Sequence, residues 1–309
     1  MIDETPATPT RCGFAAILGA PNAGKSTLVN RLVGSKVAIV SPKVQTTRTR
    51  VLGIALRDAT QIVWVDTPGI IEPRRRLERA MVAAAWRGAA DADAIILLVD
   101  AARGIDAGAR RIMAELETSS RKAVLVLNKI DLVKPEQLLP MAAELDRRGL
   151  FTDTMMVSAK TGDGVEDLAA MIAARMPLGP WLYPEDQVAD MPLRLLAAEI
   201  TREQLFLQLD QELPYATAVE TETWEEHRDG SVRIGQVVYV MRPTQKAIVL
   251  GRQGRQIKAI SAAARKEIEK VLERRVHLVL FVKERPGWQD EREVYEAQGL
   301  EWDIEGKGR

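Results

Sequence analysis

The chain has 309 residues, of which 46% are hydrophobic and 28% charged, and its formal net charge is zero. This length exceeds what a single hydrophobic core usually supports, so we expect two domains of roughly 100 to 200 residues each. No apolar run approaches the roughly 20 residues of a transmembrane helix, and the single cysteine excludes an intrachain disulfide. We expect a soluble, cytoplasmic protein whose residues 1–12 are a short disordered lead-in rather than a signal peptide.

The first half alternates short β-branched runs with longer stretches of helical period, the pattern of a parallel sheet covered by helices on both faces. In chain order, the predicted strands are 14–18, 51–56, 61–65, 94–99, 123–127 and 154–157. The predicted helices are 25–32, 77–90, 109–117, 138–148 and 165–175. The residues RDAT between the second and third strands predict a hairpin. We therefore predict an α/β domain with a doubly wound, mostly parallel sheet over residues 13–178.

The segment MPLGPWLYPED, residues 176–186, contains three prolines and a glycine and predicts a linker, which we place at 179–192. The predicted elements beyond it are a helix at 193–209, strands at 216–224 and 232–240, a short apolar run at 247–250, a helix at 256–272 and a strand at 276–282. This order predicts a smaller α+β domain over residues 193–288, followed by an acidic tail at 289–309.

The first chemical motif lies between the first strand and the first helix. Two glycines bracket four residues and are followed by Lys and Ser, the pattern of a loop that cradles phosphates with its backbone N–H groups. The helix adds the positive end of its dipole. Lys25 would neutralise the terminal phosphates of a nucleotide, and the Ser26 hydroxyl would bind Mg²⁺. The predicted nucleotide-binding residues here are Gly19, Ala20, Pro21, Asn22, Ala23, Gly24, Lys25, Ser26 and Thr27.

A second motif follows the strand-like run QIVWV. Asp66 would lie at the carboxyl edge of the sheet, where such sheets bind ligands, and we predict that it holds Mg²⁺. The backbone N–H of Gly69 can contact the terminal phosphate, so this turn would respond to its presence. Ile70 stands where Ras-like switches have a water-orienting glutamine, which predicts slow intrinsic hydrolysis of about 10⁻⁴ to 10⁻³ per second. The predicted nucleotide-binding residues here are Asp66, Thr67, Pro68, Gly69 and Ile70.

A third motif, NKID, follows the strand at 123–127 and distinguishes GTP from ATP. The Asp131 carboxylate can accept hydrogen bonds from the N1–H and the exocyclic amine of guanine, a donor pair that adenine lacks. Asn128 would address the opposite edge of the base, and the Lys129 stem would lie over the base plane. The residues SAK after the next strand would close over the base. The predicted base-binding residues are Asn128, Lys129, Ile130, Asp131, Ser158, Ala159 and Lys160.

The segment SPKVQTTRTR, residues 41–50, is polar and basic and predicts a mobile loop. We expect one threonine of this loop to complete the Mg²⁺ shell only in the GTP state. Hydroxyl spacing, together with a likeness to known GTPases, favours Thr47, with Thr46 as the alternative. Lys25, Thr47 and Gly69 are accordingly predicted to act in hydrolysis.

Charge is segregated in the second half of the chain. Residues 210–229 contain seven acids and one base, whereas residues 242–285 contain twelve bases and four acids. Within the basic block, a GxxG sequence precedes the long helix, as in the clamp of a KH domain, which holds about four nucleotides of single-stranded nucleic acid. A helix-entry turn with a solvated basic face is the alternative. The predicted RNA-binding residues are Gly251, Arg252, Gln253, Gly254, Arg255 and Lys258.

The chain from about residue 13 to residue 288 resembles the Era family of bacterial GTPases. The resemblance rests on GAPNAGKST, QTTRTR, DTPG, NKID and SAK, and then on PYATAVETE, QKAIVLGRQGRQIK and VHLVLFVKERPGW. It implies a P-loop GTPase domain followed by a type II KH domain. It also implies that Asn22 binds K⁺ and so aids hydrolysis, as in relatives without the glutamine.

The resemblance further implies a monomeric, cytoplasmic protein with peripheral membrane contact, which binds the 3′ region of small-subunit ribosomal RNA and assists assembly of the small ribosomal subunit. In this hypothesis GTP orders the loops around Thr47 and Gly69, the KH domain accepts RNA, and hydrolysis releases it. Two alternatives remain. The second domain could instead dock a protein or a membrane, or the chain could be a P-loop kinase, although NKID has no role in a kinase.

Overall fold

The computed structural model describes residues 9–43, 45–210, 213–297 and 300–302. The chain separates into two compact units. Unit 1 comprises Met1–Ala38, Thr47–Asp190 and Gln298–Arg309, and unit 2 comprises Ile39–Thr46 and Met191–Ala297. Among the described residues, no helix is both long and apolar enough to cross a membrane.

Unit 1 is built on a six-stranded sheet in the order β2-β3-β1-β4-β5-β6. Its strands are β1 (Arg11–Gly19), β2 (Val51–Arg57), β3 (Thr60–Asp66), β4 (Ala94–Asp100), β5 (Ala123–Asn128) and β6 (Phe151–Val157). Its helices are α1 (Lys25–Val33), α2 (Arg76–Ala90), α3 (Ala107–Thr118), α4 (Pro135–Asp146) and α5 (Val165–Arg175). Neighbouring strands are parallel except for the β2–β3 hairpin. The α/β fold and the hairpin predicted from the sequence are confirmed.

Both faces of this sheet are buried, which explains the continuous apolar runs in the sequence. In β4, Ile95 and Leu97 pack into the core on one face, and Ile96 and Leu98 pack into the core on the other. Successive strand residues point to opposite faces, so one short segment supplies both cores. The strands consequently end together at one edge, where the polar residues that follow β1, β3 and β5 lie.

Unit 2 contains a three-stranded sheet in the order β7-β8-β9. Its elements are α6 (Leu193–Gln208), β7 (Thr217–Glu226), β8 (Val232–Val240), α7 (Pro243–Leu250), α8 (Arg255–Leu272), β9 (Val276–Glu284) and α9 (Arg292–Ala297). Strand β8 is antiparallel to β7 and parallel to β9. Ile200 of α6 and Ile268 of α8 bury their side chains against β8. The predicted helices at 193–209 and 256–272 and the three predicted strands are confirmed.

Several boundaries differ from those predicted. β1 begins at Arg11, inside the region assigned to the lead-in, whose residues 1–8 lie outside the described part of the chain. Helix α4 begins at Pro135, three residues early, because proline suits the first turn of a helix. The apolar run 247–250 is the end of α7, which begins at Pro243. Strand β6 begins at Phe151, where buried and exposed residues make the pattern weaker.

The segment predicted to be a linker is hydrogen-bonded to the sheet of unit 1 over part of its length. The buried Gln61 side chain accepts from the backbone N–H groups of Leu182 (2.9 Å) and Tyr183 (3.0 Å) and donates to the Tyr183 carbonyl (2.8 Å). Further along, the Ile54 N–H donates to the Val188 carbonyl at 2.9 Å. The linker is therefore anchored to β2 and β3.

The predicted acidic tail is described in part. Helix α9 (Arg292–Ala297) lies within it, and Leu300 is buried in unit 1. The Arg76 guanidinium lies 3.6 Å from the ring centroid of Trp302, and Arg87 Nη1 lies 2.6 Å from Glu301 Oε2. This short stretch thus packs against α2 of the same unit. Residues 298–299 and 303–309 lie outside the described residues.

Candidate functional site

The loop between β1 and α1 has the curled backbone of a phosphate cradle. Asn22 has a φ of 64° and Gly24 a φ of 99°, both in the left-handed region. A Cβ atom at Gly24 would also lie 2.3 Å from Asn128 Nδ2. Glycine is therefore required here both by the backbone conformation and by the close approach of Asn128. The loop leads directly into the N-terminus of α1, where N–H groups and the helix dipole favour an anion.

Lys25 is the buried cation of this loop. Its side chain is 6% exposed, and Nζ donates to the carbonyl oxygens of Gly19 (3.1 Å) and Ala20 (3.0 Å). Burial lowers the pKa of Lys25 from its usual 10.5 to about 8, although Asp66 and Asp106 act in the opposite direction. The ammonium is thus held among carbonyl oxygens at the position that terminal phosphates would approach.

Three oxygen-bearing side chains meet beside the loop. Ser26 Oγ donates to Asp66 Oδ2 at 2.7 Å, and Thr47 Oγ1 lies 2.9 Å from Ser26 Oγ and 3.3 Å from Asp66 Oδ2. Burial raises the pKa of Asp66, while Lys25, Ser26 and Thr47 lower it. The other carboxylate oxygen, Asp66 Oδ1, is buried with no hydrogen-bond partner among the described residues. Two hydroxyls and a carboxylate with one unsatisfied oxygen fit Mg²⁺, which prefers hard oxygen ligands.

Thr46, the alternative Mg²⁺ ligand, has other partners. Its Oγ1 lies 2.6 Å from Ser41 Oγ and 2.9 Å from the Lys43 carbonyl. Its own carbonyl accepts from Arg202 Nη2 of α6 at 2.6 Å, and these residues all belong to unit 2. The structure brings Thr47, and not Thr46, to Ser26 and Asp66.

The turn after β3 lies against the phosphate loop. Thr67 Oγ1 donates to the Ile17 carbonyl of β1 at 2.6 Å, and a Cβ atom at Gly69 would lie 2.9 Å from the Pro21 Cα. The Ile70 N–H donates to the Gly19 carbonyl at 3.2 Å, and the Ile70 side chain is fully buried in the core of unit 1. Gly69 thus has room for backbone contact only, and Ile70 points away from the phosphate position. Pro68, which precedes Gly69, is also buried.

The base-reading residues are held by the phosphate loop and by the segment after β6. Asn128 Nδ2 donates to the Ala23 carbonyl at 2.8 Å, and Asn128 Oδ1 accepts from the Ala159 N–H at 3.0 Å. Ser158 Oγ donates to Asp131 Oδ1 at 2.6 Å, which orients the exposed carboxylate. Ile130 opens a single 3₁₀ turn that carries Asp131, and Lys160 is exposed. These hydrogen bonds therefore hold the NKID and SAK segments side by side.

The GRQG loop of unit 2 has an unusual backbone. Gly251 has φ 70° and ψ 171°, Gln253 has φ 54° and Gly254 has φ 72°, so three of its four residues have positive φ. This conformation presents the loop at the N-terminus of α8. Arg252, Gln253, Arg255 and Lys258 are exposed. Their side chains form no ion pair or hydrogen bond within the described part of the chain.

The acidic and basic blocks of the sequence neutralise each other across the sheet of unit 2. Acidic residues of β7 pair with bases in or beside β9, namely Glu220 with Arg285 (3.4 Å), Glu222 with Lys283 (2.9 Å) and Glu226 with Arg274 (3.0 Å). These exposed pairs contribute little to stability. Arg252, Arg255 and Lys258, at the GRQG loop and the start of α8, take part in none of the ion pairs of the described residues.

The sequence interpretation missed one acidic residue next to the nucleotide site. Asp100 ends β4, is 6% exposed and lies 2.6 Å from the ammonium of Lys129. The signal was present in the sequence, because Asp100 follows the apolar run AIILLV just as Asp66 follows QIVWV. Both carboxylates lie at the carboxyl edge of the sheet, where ligands bind in such folds.

The fold and these two sites define a P-loop GTPase followed by a KH domain. A family model described as a 50S ribosome-binding GTPase matches residues 14–129, and one described as a KH domain matches residues 212–289. The chain is 60% identical to "GTPase Era" of Sinorhizobium medicae over 296 residues, covering 96% of each chain, and 58% identical to that of Agrobacterium fabrum over 299 residues, covering 97% of this chain and 94% of the relative. The chain belongs to the Era family of GTPases.

Solved structures agree with this assignment. The structure of a point variant of Aquifex aeolicus Era bound to GDP·AlF₄⁻ superposes with a TM-score of 0.89 at 36% identity, covering 94% of this chain and 99% of that one. A structure of Era in complex with MgGDPNP and nucleotides 1506–1542 of 16S ribosomal RNA superposes with a TM-score of 0.88, with the same identity and coverage. The protein is therefore a GTPase with the fold of this family.

Proposed function

We propose that this protein is a GTP-controlled switch that binds small-subunit ribosomal RNA through the GRQG loop and assists assembly of the small ribosomal subunit. The observation that carries the proposal is the similarity, over 94% of the chain, to a structure that contains both MgGDPNP and a segment of 16S ribosomal RNA. The exposed bases Arg252, Arg255 and Lys258 support it, because they form no ion pair among the described residues and phosphate contacts supply most of the affinity for a nucleic-acid backbone.

The geometry supports a distinct role for each part of the nucleotide site. Lys25 and the N–H groups of the phosphate loop would bind the terminal phosphates, and Asp131 and Asn128 would select guanine. Ser26, Thr47 and Asp66 would hold Mg²⁺, which would neutralise charge that develops on the phosphate oxygens. Gly69 would contact the terminal phosphate through its backbone, because the close approach of Pro21 leaves no space for a side chain.

Hydrolysis by the isolated chain is proposed to be slow. Ile70 is buried in the core, so no side chain at that position can orient the attacking water. A turnover above about one per second would contradict this proposal.

We also propose that Asn22 binds K⁺ beside the phosphates. Hydrolysis should then be faster in K⁺ than in Na⁺, and Asn22→Ala should abolish the difference; equal wild-type rates in the two salts would refute it.

RNA binding is tested by placing a carboxylate in the GRQG loop. Gly254→Asp sets negative charge where a phosphate would bind, and binding to a 16S ribosomal RNA 3′ fragment should weaken at least about tenfold. Gly230→Asp is the matched control, because both glycines have positive φ (72° and 82°) and neither has an atom within 4 Å of an added Cβ. Equal RNA affinity for the two variants would overturn the proposal. Membrane or protein capture that is unaffected by RNA would instead indicate a docking domain.

Location and oligomeric state are further parts of the proposal. From the family resemblance we infer a monomer in the cytoplasm with peripheral membrane contact. Sedimentation of the purified chain tests the first point, and fractionation of cells, with a salt wash of the membranes, tests the others. A dimer in solution, or a membrane fraction that resists high salt, would contradict this part.

A further inference from the structure

The ammonium group of Lys129 is held by two oxygen atoms from different parts of unit 1. Nζ lies 2.6 Å from Asp100 Oδ2, at the end of β4, and 2.7 Å from the carbonyl oxygen of Asn22, in the phosphate loop. Lys129 itself has a φ of 66°, a conformation that residues other than glycine rarely adopt. The backbone conformation of Lys129 thus fixes one end of its side chain, and hydrogen bonds to Asp100 and to the Asn22 carbonyl fix the ammonium group at the other end.

The surroundings of Asp100 show that its two carboxylate oxygens have different partners. Oδ1 accepts from the Ala102 N–H at 3.0 Å, within the turn that follows β4. Oδ2 faces the Lys129 ammonium, with Arg103 Nε farther away at 3.7 Å on a mostly exposed side chain. A buried carboxylate is costly unless it is paired, so Lys129 is the group that stabilises this charge.

We propose that Asp100 is a positioning residue for nucleotide binding, which acts by holding the Lys129 side chain in place beside the base. The contacts of Asp131 distinguish guanine from other bases. The methylene groups of Lys129 instead pack on the flat face of the base. Every purine has such a face, so this contact does not distinguish guanine from other purines. Loss of Asp100 should therefore weaken binding of guanosine and inosine diphosphates by the same factor, without changing the preference between them.

The test separates this role from a merely structural role in the turn. Asp100→Asn keeps one oxygen that can accept from the Ala102 N–H. The oxygen facing Lys129 is replaced by an NH₂ group, which cannot accept a hydrogen bond from the ammonium. Asp100→Ala removes both. Under the proposal, both variants release a fluorescent GDP analogue about ten- to a hundredfold faster than wild type. If Asp100 serves only the turn, Asp100→Asn behaves as wild type, and that result overturns the proposal even if Asp100→Ala fails to fold.

A double-mutant cycle with Lys129→Met provides the second readout. If Asp100 acts through Lys129, Asp100→Asn adds no further loss of affinity in the Lys129→Met background, whereas additive losses would contradict the proposal. Asp153→Asn is the control, because it breaks an ion pair with Arg175 in the same unit, away from the nucleotide site, and should leave GDP release unchanged. A change in the ratio of GDP to IDP affinity in Asp100→Asn would also overturn it.

Discussion

The buried ammonium group of Lys25 has a lowered pKa in the absence of nucleotide. The ammonium is buried, and its pKa of about 8 is well below the value of 10.5 for a lysine in water. A bound polyphosphate favours the protonated form, so it raises this pKa again. Binding must then be coupled to proton uptake wherever the pH lies between the free and bound pKa values.

This coupling predicts a pH dependence. Below pH 8 the free protein already carries the proton, so nucleotide affinity should be flat near pH 7. As the pH rises through about 8, affinity should fall, by up to about tenfold per pH unit, because each binding event must take up a proton. Calorimetry at about pH 8.5 in two buffers of different ionisation enthalpy measures the uptake. Equal enthalpies in the two buffers would show that Lys25 remains protonated.

The two adjacent threonines give a matched pair of substitutions. Thr47→Val keeps the shape but removes the hydroxyl next to Ser26 and Asp66, and GTP hydrolysis should slow by about ten- to a hundredfold with a raised Mg²⁺ requirement. Thr46→Val removes a hydroxyl that bonds only within the segment 41–46. It should change neither property by more than about twofold. A larger effect of Thr46→Val on the Mg²⁺ requirement would reverse the assignment.

At the scale of elements, one side chain of β3, that of Gln61, makes three of the hydrogen bonds that anchor the linker. Gln61→Ala removes the side-chain partners of two backbone N–H groups and one carbonyl of the linker, and the loss of these hydrogen bonds should lower the free energy of unfolding by about 2 kcal/mol. Protease cleavage near residue 182 should also become faster. Gln187→Ala, which removes one bond within the linker, serves as the control. Cleavage rates that are the same in both variants would mean that Gln61 does not hold the linker.

Most elements were predictable because each carries its pattern locally. The buried strands β1, β3, β4 and β5 are continuous apolar runs, and their ends were predicted within a few residues. The motif residues were equally visible, since the phosphate loop and NKID are contiguous in sequence. The role of Gln61, by contrast, depends on a segment about 120 residues away. Asp100 likewise acquires its partner only when β4 and β5 lie side by side.

In unit 2, the sequence did not reveal which charged residues pair with one another. The charge blocks were evident, but their cancellation was not, because Glu222 of β7 reaches Lys283 of β9 across the strand between them. The net positive charge of the basic block therefore overstated the number of bases available to RNA. The GRQG loop was predicted from its glycines, yet the positive φ of Gln253 could not be read from its residue type.

At the scale of the whole molecule, we propose that nucleotide bound in unit 1 controls RNA binding by unit 2. Such control requires that GTP and RNA each favour the same state of the protein, and the coupling must then be reciprocal. RNA should raise the affinity for a non-hydrolysable GTP analogue by the same factor by which that analogue raises the affinity for RNA.

The most direct measurement is the affinity of the purified chain for a 16S ribosomal RNA 3′ fragment at fixed salt, with a GTP analogue or with GDP bound. We expect binding at least about fivefold tighter with the GTP analogue than with GDP, and Gly254→Asp should weaken binding in the GTP-analogue state. Equal RNA affinity in the two nucleotide states would show that nucleotide in unit 1 does not control RNA binding by unit 2.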